Sequence, residues 1–277
     1  MENQNIEKFI IAIPARLESS RLPRKVLRKI GNLTMIERVI DKCLEGANGS
    51  PIVLCTDNIE IKEVIQKKNC EVLMTSTKCS SGSERIASVL KNIISLAWKE
   101  RINEKDESFF NYLLNKTAVI NIQADQPFLD SKLIGKMKSA FSSIENKNVD
   151  VITPIYKLNK DKIFNPNVVK TIINSKKEAI YFSRSTIPYI RNEEKKNWYK
   201  VADYWGHAGI YGFKSYILEK WSSIPNSFLE KAEKLEQLKL IEAGYKVGTF
   251  EIEEESLSID TIEQLNEAIK KYEEFIY

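Results

Sequence analysis

The apolar positions of this chain fall into short blocks that alternate between two periods. Residues 9–13, Phe-Ile-Ile-Ala-Ile, form an apolar run closed by Pro14, the pattern of a buried strand. Residues 35–44 carry apolar side chains at helical spacing, 51–56 form a second apolar strand, and a helix is expected over 59–68. A short strand over 71–74 and a helix over 82–98 follow, the helix with Ile86, Val89, Leu90 and Ile93 as its apolar positions. A strand over 118–122 and a helix after Asp130 continue the alternation. Strands alternating with helices build βαβ units on a parallel sheet, and such sheets bind ligands at the carboxyl ends of their strands. The second half reads differently. Residues 150–156, 168–173, 179–182 and 207–213 are expected as strands, the first three joined only by turns or short loops, and helices are expected over 229–243 and 262–272. Residues 98–116 are charged and poorly patterned, and are expected as a surface excursion. With no linker, repeat or low-complexity tract, the expectation is one α/β domain over 1–277. It has a mostly parallel, Rossmann-like sheet flanked by helices and an antiparallel lobe embedded over 150–213.

Composition narrows the classes. Hydrophobic residues make up 43% and charged residues 29% of the 277, as in an ordinary globular protein. No apolar run approaches the ~18 residues of a membrane span, and the polar start Met1-Glu2-Asn3-Gln4-Asn5 is unlike a signal peptide. The expectation is a cytoplasmic protein without a membrane partner. The net charge of +4 is small and scattered, which argues against a nucleic-acid partner and leaves room for a local basic pocket. Cys43, Cys55, Cys70 and Cys79 show no CxxC spacing, so they are expected as reduced thiols rather than zinc ligands. The single histidine, His207, excludes any mechanism that needs two.

Candidate chemistry gathers where the leading strands end. The first strand opens into Pro14-Ala15-Arg16-Leu17-Glu18-Ser19-Ser20-Arg21-Leu22-Pro23-Arg24-Lys25, which crowds four cations into one loop. Cations this close repel one another unless an anion sits among them, and a triphosphate would satisfy them. A solvated surface loop is the plainer reading of a basic run, but the position after the first strand favours phosphate. Neither GxxxxGK nor GxGxxG occurs, so the standard ATP and dinucleotide sites are not expected. In Ser80-Ser81-Gly82-Ser83-Glu84-Arg85, Ser81 or Ser83 suits a helix N-cap and Glu84 the first turn. Asp125 reads either as a carboxylate holding a metal at a strand end or as a turn aspartate. Asp260 reads as an N-cap with Glu263 as its capping-box partner.

The string IPARLESSRLPRK closely resembles the N-terminal signature of CMP-Kdo synthetases (3-deoxy-manno-octulosonate cytidylyltransferases), IPAR followed by LPGK. The resemblance runs from residue 9 to about residue 271. It implies a nucleotide-diphospho-sugar transferase type of fold. It also implies transfer of CMP from CTP to the anomeric hydroxyl of Kdo, an acidic eight-carbon sugar, for lipopolysaccharide biosynthesis. Arg16, Arg21 and Lys25 would bind the triphosphate; Arg24 stands where the family often has glycine. SSGSER resembles SGTER, which places Ser81, Gly82, Ser83 and Arg85 at the cytosine, with Cys79-Ser80 replacing His-Gln. QADQP resembles QGDEP, with Ala124 for glycine and Gln126 for glutamate. Asp125 would then be a Mg2+ ligand and Gln123 would lie near the nucleotide. SIDTIEQL resembles VDTPEDL, which makes Asp260 the second metal carboxylate.

Four further segments, FNPNVVK, YFSRSTIP, HAGIYGF and LEKAEKLEQL, resemble the stretches that distinguish this family from sialate cytidylyltransferases. They imply a sugar pocket with Arg184, His207, Glu236 and Gln237, the last two adjoining on one helix. On the residues alone these are a surface arginine, a satisfied core histidine and a solvated helix face. Gly206 stands where the family commonly has arginine. The family also implies a homodimer in contact through about 150–213. Two other readings remain: a cytidylyltransferase for an 8-amino-Kdo or sialic acid-like sugar, and a non-catalytic nucleotide-binding paralogue.

Overall fold

The computed structural model describes residues 5–102, 106–143 and 148–276. The chain runs through β1 (Lys8–Ala15), the small strands β2 (Lys29–Ile30) and β3 (Leu33–Thr34), α1 (Met35–Gly46), β4 (Ile52–Thr56), α2 (Ile59–Val64) and β5 (Glu71–Met74). It continues through α3 (Gly82–Ala87), α4 (Leu90–Trp98), α5 (Glu107–Lys116), β6 (Thr117–Asn121) and α6 (Lys132–Ser142). Then come β7 (Val151–Lys157), β8 (Lys170–Ile173), β9 (Ala179–Ser183), α7 (Trp198–Val201), β10 (Trp205–His207), β11 (Tyr211–Lys214) and α8 (Ser215–Glu219). The last elements are α9 (Phe228–Glu233), α10 (Gln237–Glu242), β12 (Val247–Ile252) and α11 (Ile262–Ile276). The contacts divide the chain into two compact units, one of residues 1–138, 213–221 and 256–277, the other of residues 139–212 and 222–255.

The first unit carries the parallel sheet, in the order β5-β4-β1-β6. Residues Ile10–Ile13 and Val53–Cys55 are fully buried, as expected of parallel strands covered on both faces. β1 continues through Pro14, where the sequence pattern had ended it. The Ile11 N–H donates toward β4, to Pro51 O at 2.9 Å, so the nitrogen of residue 14 faces β6. The register with β6 ends at Ala12↔Asn121, so a proline there removes no ladder bond.

Helices in this unit follow local chemistry. α1 starts on a capping box between Thr34 and Glu37 and buries Met35, Ile36, Val39, Ile40 and Cys43. The helix expected over 82–98 is instead two, α3 and α4. The Ser88 hydroxyl donates back to Arg85 O at 2.7 Å, and Val89 leaves helical geometry at φ −123° and ψ 19°. The stretch expected as a surface excursion contains α5, capped by Asp106 and anchored by buried Leu113 and Leu114; its residues 103–105 lie outside those described. Two adjacent anchors are too few to register as a helical stripe.

The second unit contains β12-β7-β10-β8-β9. β12 runs parallel to β7 and the others pair antiparallel. β12 was not expected from the sequence, and the expected strand over 207–213 is split into β10 and β11. The Ile210 N–H bonds Ala208 O at 2.7 Å and turns the chain between them. The helix expected over 229–243 is likewise two, because Lys234 takes a left-handed conformation at φ 57° after α9. Buried Lys170 donates to the carbonyls of Asn165, Val168 and Arg184 and so fastens the FNPNVVK loop to the end of β9.

Gly206 has a packing reason. A Cβ built there would meet Leu158 Cδ2 and Tyr156 Cζ, both at 2.6 Å. Tyr156 fills that space, and its hydroxyl donates to Glu255. Gly206→Ala is expected to cost ~1–3 kcal/mol of unfolding free energy in a urea titration. An unchanged midpoint would mean that Tyr156 gives way freely and does not exclude a side chain.

Candidate active site

The parallel register brings the carboxyl ends of β1, β4 and β6 to one edge of the first unit. The loops that leave that edge enclose a cavity of about 340 Å³. Arg16, Arg21 and Lys25 line it from the first loop, Ser81 and Gly82 from the second. Gln123, Asp125 and Asp260 complete the wall.

At its centre the Lys25 ammonium donates to Asp125 Oδ2 at 2.7 Å and to Asp260 Oδ1 at 2.9 Å. Arg21 adds a contact to Asp260 Oδ1 at 3.0 Å. Burial alone would lower the Lys25 pKa, but Asp125 and Asp260 outweigh it and hold the group above its ordinary value, as a stable ammonium. Two carboxylates from distant parts of the chain therefore converge on one cationic centre.

Three features hold them there. The Ile259 N–H donates to the carbonyl of Asp125 at 2.9 Å, which registers the two acidic residues backbone to backbone. Leu22 of the basic loop and Ile259 beside Asp260 are buried in the same apolar cluster as Ile30, Met35, Leu265 and Ala268. Helix α11 is capped by Thr261 rather than Asp260. Gln264 N donates to Thr261 Oγ1 at 3.3 Å, and Gln264 Oε1 accepts from the N–H groups of Asp260 at 2.8 Å and Thr261 at 3.1 Å. The capping partner is thus Gln264, not Glu263, and the Asp260 carboxylate is left to face the cavity.

The second loop is more structural than the resemblance implied, and follows the capping read from its residues alone. Ser81 is the N-cap of α3, its Oγ accepting from Glu84 N at 3.1 Å. A Cβ on Gly82 would meet Pro14 Cγ at 2.9 Å, so this glycine lets the loop lie against the end of β1. Ser83 is fully buried, 3.4 Å from the Asn121 amide, and does not line the cavity. Arg85 reaches the wall, yet its guanidinium donates to Asp57 at 2.7 Å, to Ser76 O at 3.4 Å and to Thr75 Oγ1. Asp57 was missed from the sequence; its only signal was an acidic residue directly after a buried strand. Arg24 has φ 56°, a left-handed geometry that glycine adopts freely. Its side chain turns to Glu60 and away from the cavity. Arg16 is exposed at the rim.

The residues proposed for a sugar lie in the second unit. His207 is 5% exposed, with its ring centroid 4.8 Å from that of Phe182 and 5.4 Å from that of Tyr211. Its Nε2 is 2.9 Å from Thr153 Oγ1, and that hydroxyl's one proton is well placed on Ile210 O at 2.8 Å. This assigns the Nε2–H tautomer. Gln237 is 2% exposed. Its Oε1 accepts from Tyr211 at 3.0 Å, while its buried Nε2 has no partner among the described residues. Glu236 is half-buried in the cap position before α10, so the two do not share a helix interior. Arg184 spends Nε on Glu233 O at 2.8 Å and Nη1 on Pro166 O at 3.2 Å. The structure thus brings Tyr211 together with His207 and Gln237, and ties Arg184 to α9.

A parallel α/β sheet whose carboxyl edge joins a basic loop to two convergent carboxylates defines a nucleotide-handling protein. A profile described as Cytidylyltransferase matches residues 10–256, and the chain belongs to that family. It is 36% identical over 273 residues to the 3-deoxy-manno-octulosonate cytidylyltransferase of Rickettsia bellii, covering 99% of this chain and 98% of that one. It is 32% identical over 265 residues to the enzyme of the same name from Parabacteroides distasonis, covering 95% and 97%. The solved structure of a CMP:2-keto-3-deoxy-manno-octonic acid synthetase complexed with CTP superposes with a TM-score of 0.81 at 29% identity, covering 97% of this chain and 100% of that one. A cytidylyltransferase from Leptospira borgpetersenii, at TM-score 0.55 and 17% identity, shares the fold. The mixed α/β class with a mostly parallel sheet, expected from the strand and helix pattern, is the observed one.

Burial lowers the His207 pKa to about 3. The unfolded chain takes up this proton near pH 6.5 and the folded chain only near 3, so the stability it carries is present above 6.5 and lost as pH falls towards 3. The slope is about 1.4 kcal/mol per pH unit across that window. In paired urea titrations, wild type is expected to lose stability between pH 7 and pH 5 more steeply than His207→Gln, by about 1–2 kcal/mol. Parallel curves for the two proteins would place His207 in contact with solvent.

Proposed function

We propose that this chain transfers CMP from CTP to the anomeric hydroxyl of Kdo and releases pyrophosphate. The observation that carries it is the convergence of Asp125 and Asp260 on one cation at the mouth of the basic loop. Relatives that carry the Kdo name match essentially the whole chain and supply the sugar.

The hydroxyl oxygen attacks the α-phosphorus, the bond from that phosphorus to the bridging oxygen breaks to release pyrophosphate, and the hydroxyl proton passes to solvent. No covalent intermediate on the protein is needed, so positioning and charge neutralisation carry the rate. Arg16, Arg21 and Lys25 take the outer phosphates and stabilise the departing pyrophosphate. Ser81, Gly82 and Gln123 line the same cavity and are proposed at the nucleotide. Arg85 acts by holding the second loop through Asp57, and Ser83 from beneath it.

The donor set fits magnesium: two hard carboxylates in reach of one point, with phosphate oxygens and water left to complete the shell. Asp125 and Asp260 are the proposed ligands. When bound, the ion supplies positive charge at the α-phosphate and lowers the pKa of the attacking hydroxyl. For the sugar, Gln237 has an unused buried amide donor, Glu236 a carboxylate and Arg184 a cation. His207 is proposed to act there by fixing Tyr211, which in turn orients Gln237.

The test is pyrophosphate release with CTP, magnesium and a panel of acidic sugars. Turnover with Kdo, or its 8-amino analogue, is expected well above that with N-acetylneuraminate, and a ratio near one would refute the sugar assignment. In the same assay Asp125→Asn and Asp260→Asn are each expected to cut kcat roughly 100-fold or more, beyond most outer-shell changes around a metal. Near-normal turnover at saturating magnesium would remove the metal role.

A cytoplasmic homodimer belongs to the same proposal. Four cysteines without a disulfide suit a reducing compartment, and among the described residues no helix is long and apolar enough to cross a membrane. The second unit exposes Ile180, Tyr189 and Val201 at 54%, 73% and 57%, surface that a second copy would cover. Light scattering at micromolar concentration is expected to give twice the chain mass; a monomer would contradict the assembly.

A further inference from the structure

Lys25 has two calls on its charge. It lines the cavity with Arg16 and Arg21, where a nucleotide's outer phosphates would bind. Yet its nitrogen lies 2.7 Å from one metal-binding carboxylate and 2.9 Å from the other, with 15% of the side chain exposed. A magnesium ion bound to both carboxylates would sit about 2.0–2.1 Å from each oxygen. The Lys25 nitrogen lies between those two carboxylates, on Asp125 Oδ2 and Asp260 Oδ1. An ammonium and a divalent cation repel each other and draw on the same two carboxylates, so each opposes the other there.

We propose that Lys25 is an internal counter-ion that competes with the metal for Asp125 and Asp260, so that the metal site opens when a nucleotide's polyphosphate draws Lys25 away. This rests on the reading that those two aspartates are the metal ligands. The device needs little motion. The lysine stem has four rotatable carbons, and its backbone is held by buried Val26 in the turn that follows. Phosphate oxygens entering the cavity offer the ammonium another anion a few ångströms away. Arg21, the other cation on Asp260, has a side chain 64% exposed and is bound only weakly against solvent. The consequence is positive coupling: nucleotide opens the metal site, and by reciprocity the metal strengthens nucleotide binding. Without CTP the carboxylates stay neutralised by the chain itself and hold no divalent ion tightly.

The test is Mn2+ binding to the full chain without nucleotide, read from the loss of the free-ion EPR signal. Thermal melts establish that each variant is folded. Lys25→Met and Lys25→Gln are each expected to bind Mn2+ at least about tenfold more tightly than wild type. Asp125→Asn added to Lys25→Met is expected to abolish the gain. Arg21→Met removes an equal charge from the same cavity but not from the position between the carboxylates, and is expected to gain much less. An Arg21→Met gain equal to that of the Lys25 variants would reduce the effect to general repulsion and overturn the competition. So would Lys25 variants that bind no more tightly than wild type while Mn2+ binding to the CTP-loaded enzyme still depends on Asp125; in that case the metal assignment stands alone. Mn2+ binding to the CTP-loaded enzyme that is indifferent to Asp125→Asn and Asp260→Asn would remove the metal assignment and this proposal together.

Discussion

The site depends on bringing Asp125 and Asp260 together, two carboxylates that would repel each other without a cation between them. Lys25 supplies that cation, but it does not supply the alignment. Alignment comes from the backbone bond between Ile259 N and Asp125 O, and from the apolar cluster that buries Leu22 and Ile259 together. Burial of a leucine or isoleucine is worth roughly 1.5–3 kcal/mol, whereas an ion pair withdrawn this far from water loses much of its attraction to desolvation. The hydrophobic cluster therefore sets the positions, and the charges exploit them. Helix α11 matters for the same reason: Leu265 and Ala268 dock it into that cluster, and Asp260 is the residue just before its cap.

Much of the surrounding polar structure serves rigidity. Arg85 is held by Asp57 and Thr75, Ser83 faces Asn121, and Lys170 is bound by three backbone carbonyls. Each is a buried polar group that must be satisfied inside the protein, because leaving it unmatched costs about 1–3 kcal/mol. Residues that resemblance assigns to a ligand can thus act one step away from it. Gln237 is the contrasting case, since its buried amide nitrogen has no partner among the described residues.

Two of the departures from the family's sequence pattern have local physical accounts. Arg24 tolerates a left-handed backbone and directs its charge to Glu60, so the cavity does not feel it. Gly206 is required by the ring of Tyr156. Gln126 is buried and its Oε1 has no partner among the described residues, so the structure does not explain glutamine in place of glutamate.

The sequence by itself determined the parallel α/β class, the strands expected at 51–56 and 71–74, the helix expected at 35–44 and the basic loop after the first strand. These are legible because hydrophobic periodicity and local capping act over a few residues, and the face that must be buried is written directly into the spacing. Helix breaks at Ser88 and Lys234 were not legible, because a serine bonding backwards and a lysine at positive φ leave the apolar pattern intact. Nor was α11's true cap, where Thr261 and Asp260 are both good candidates and the direction of one side chain decides. Above all, the pairing of Lys25 with residues 100 and 235 positions away was settled only by tertiary structure. Strand register and the docking of α11 choose which charges meet, and neither is encoded in the neighbourhood of any one of them.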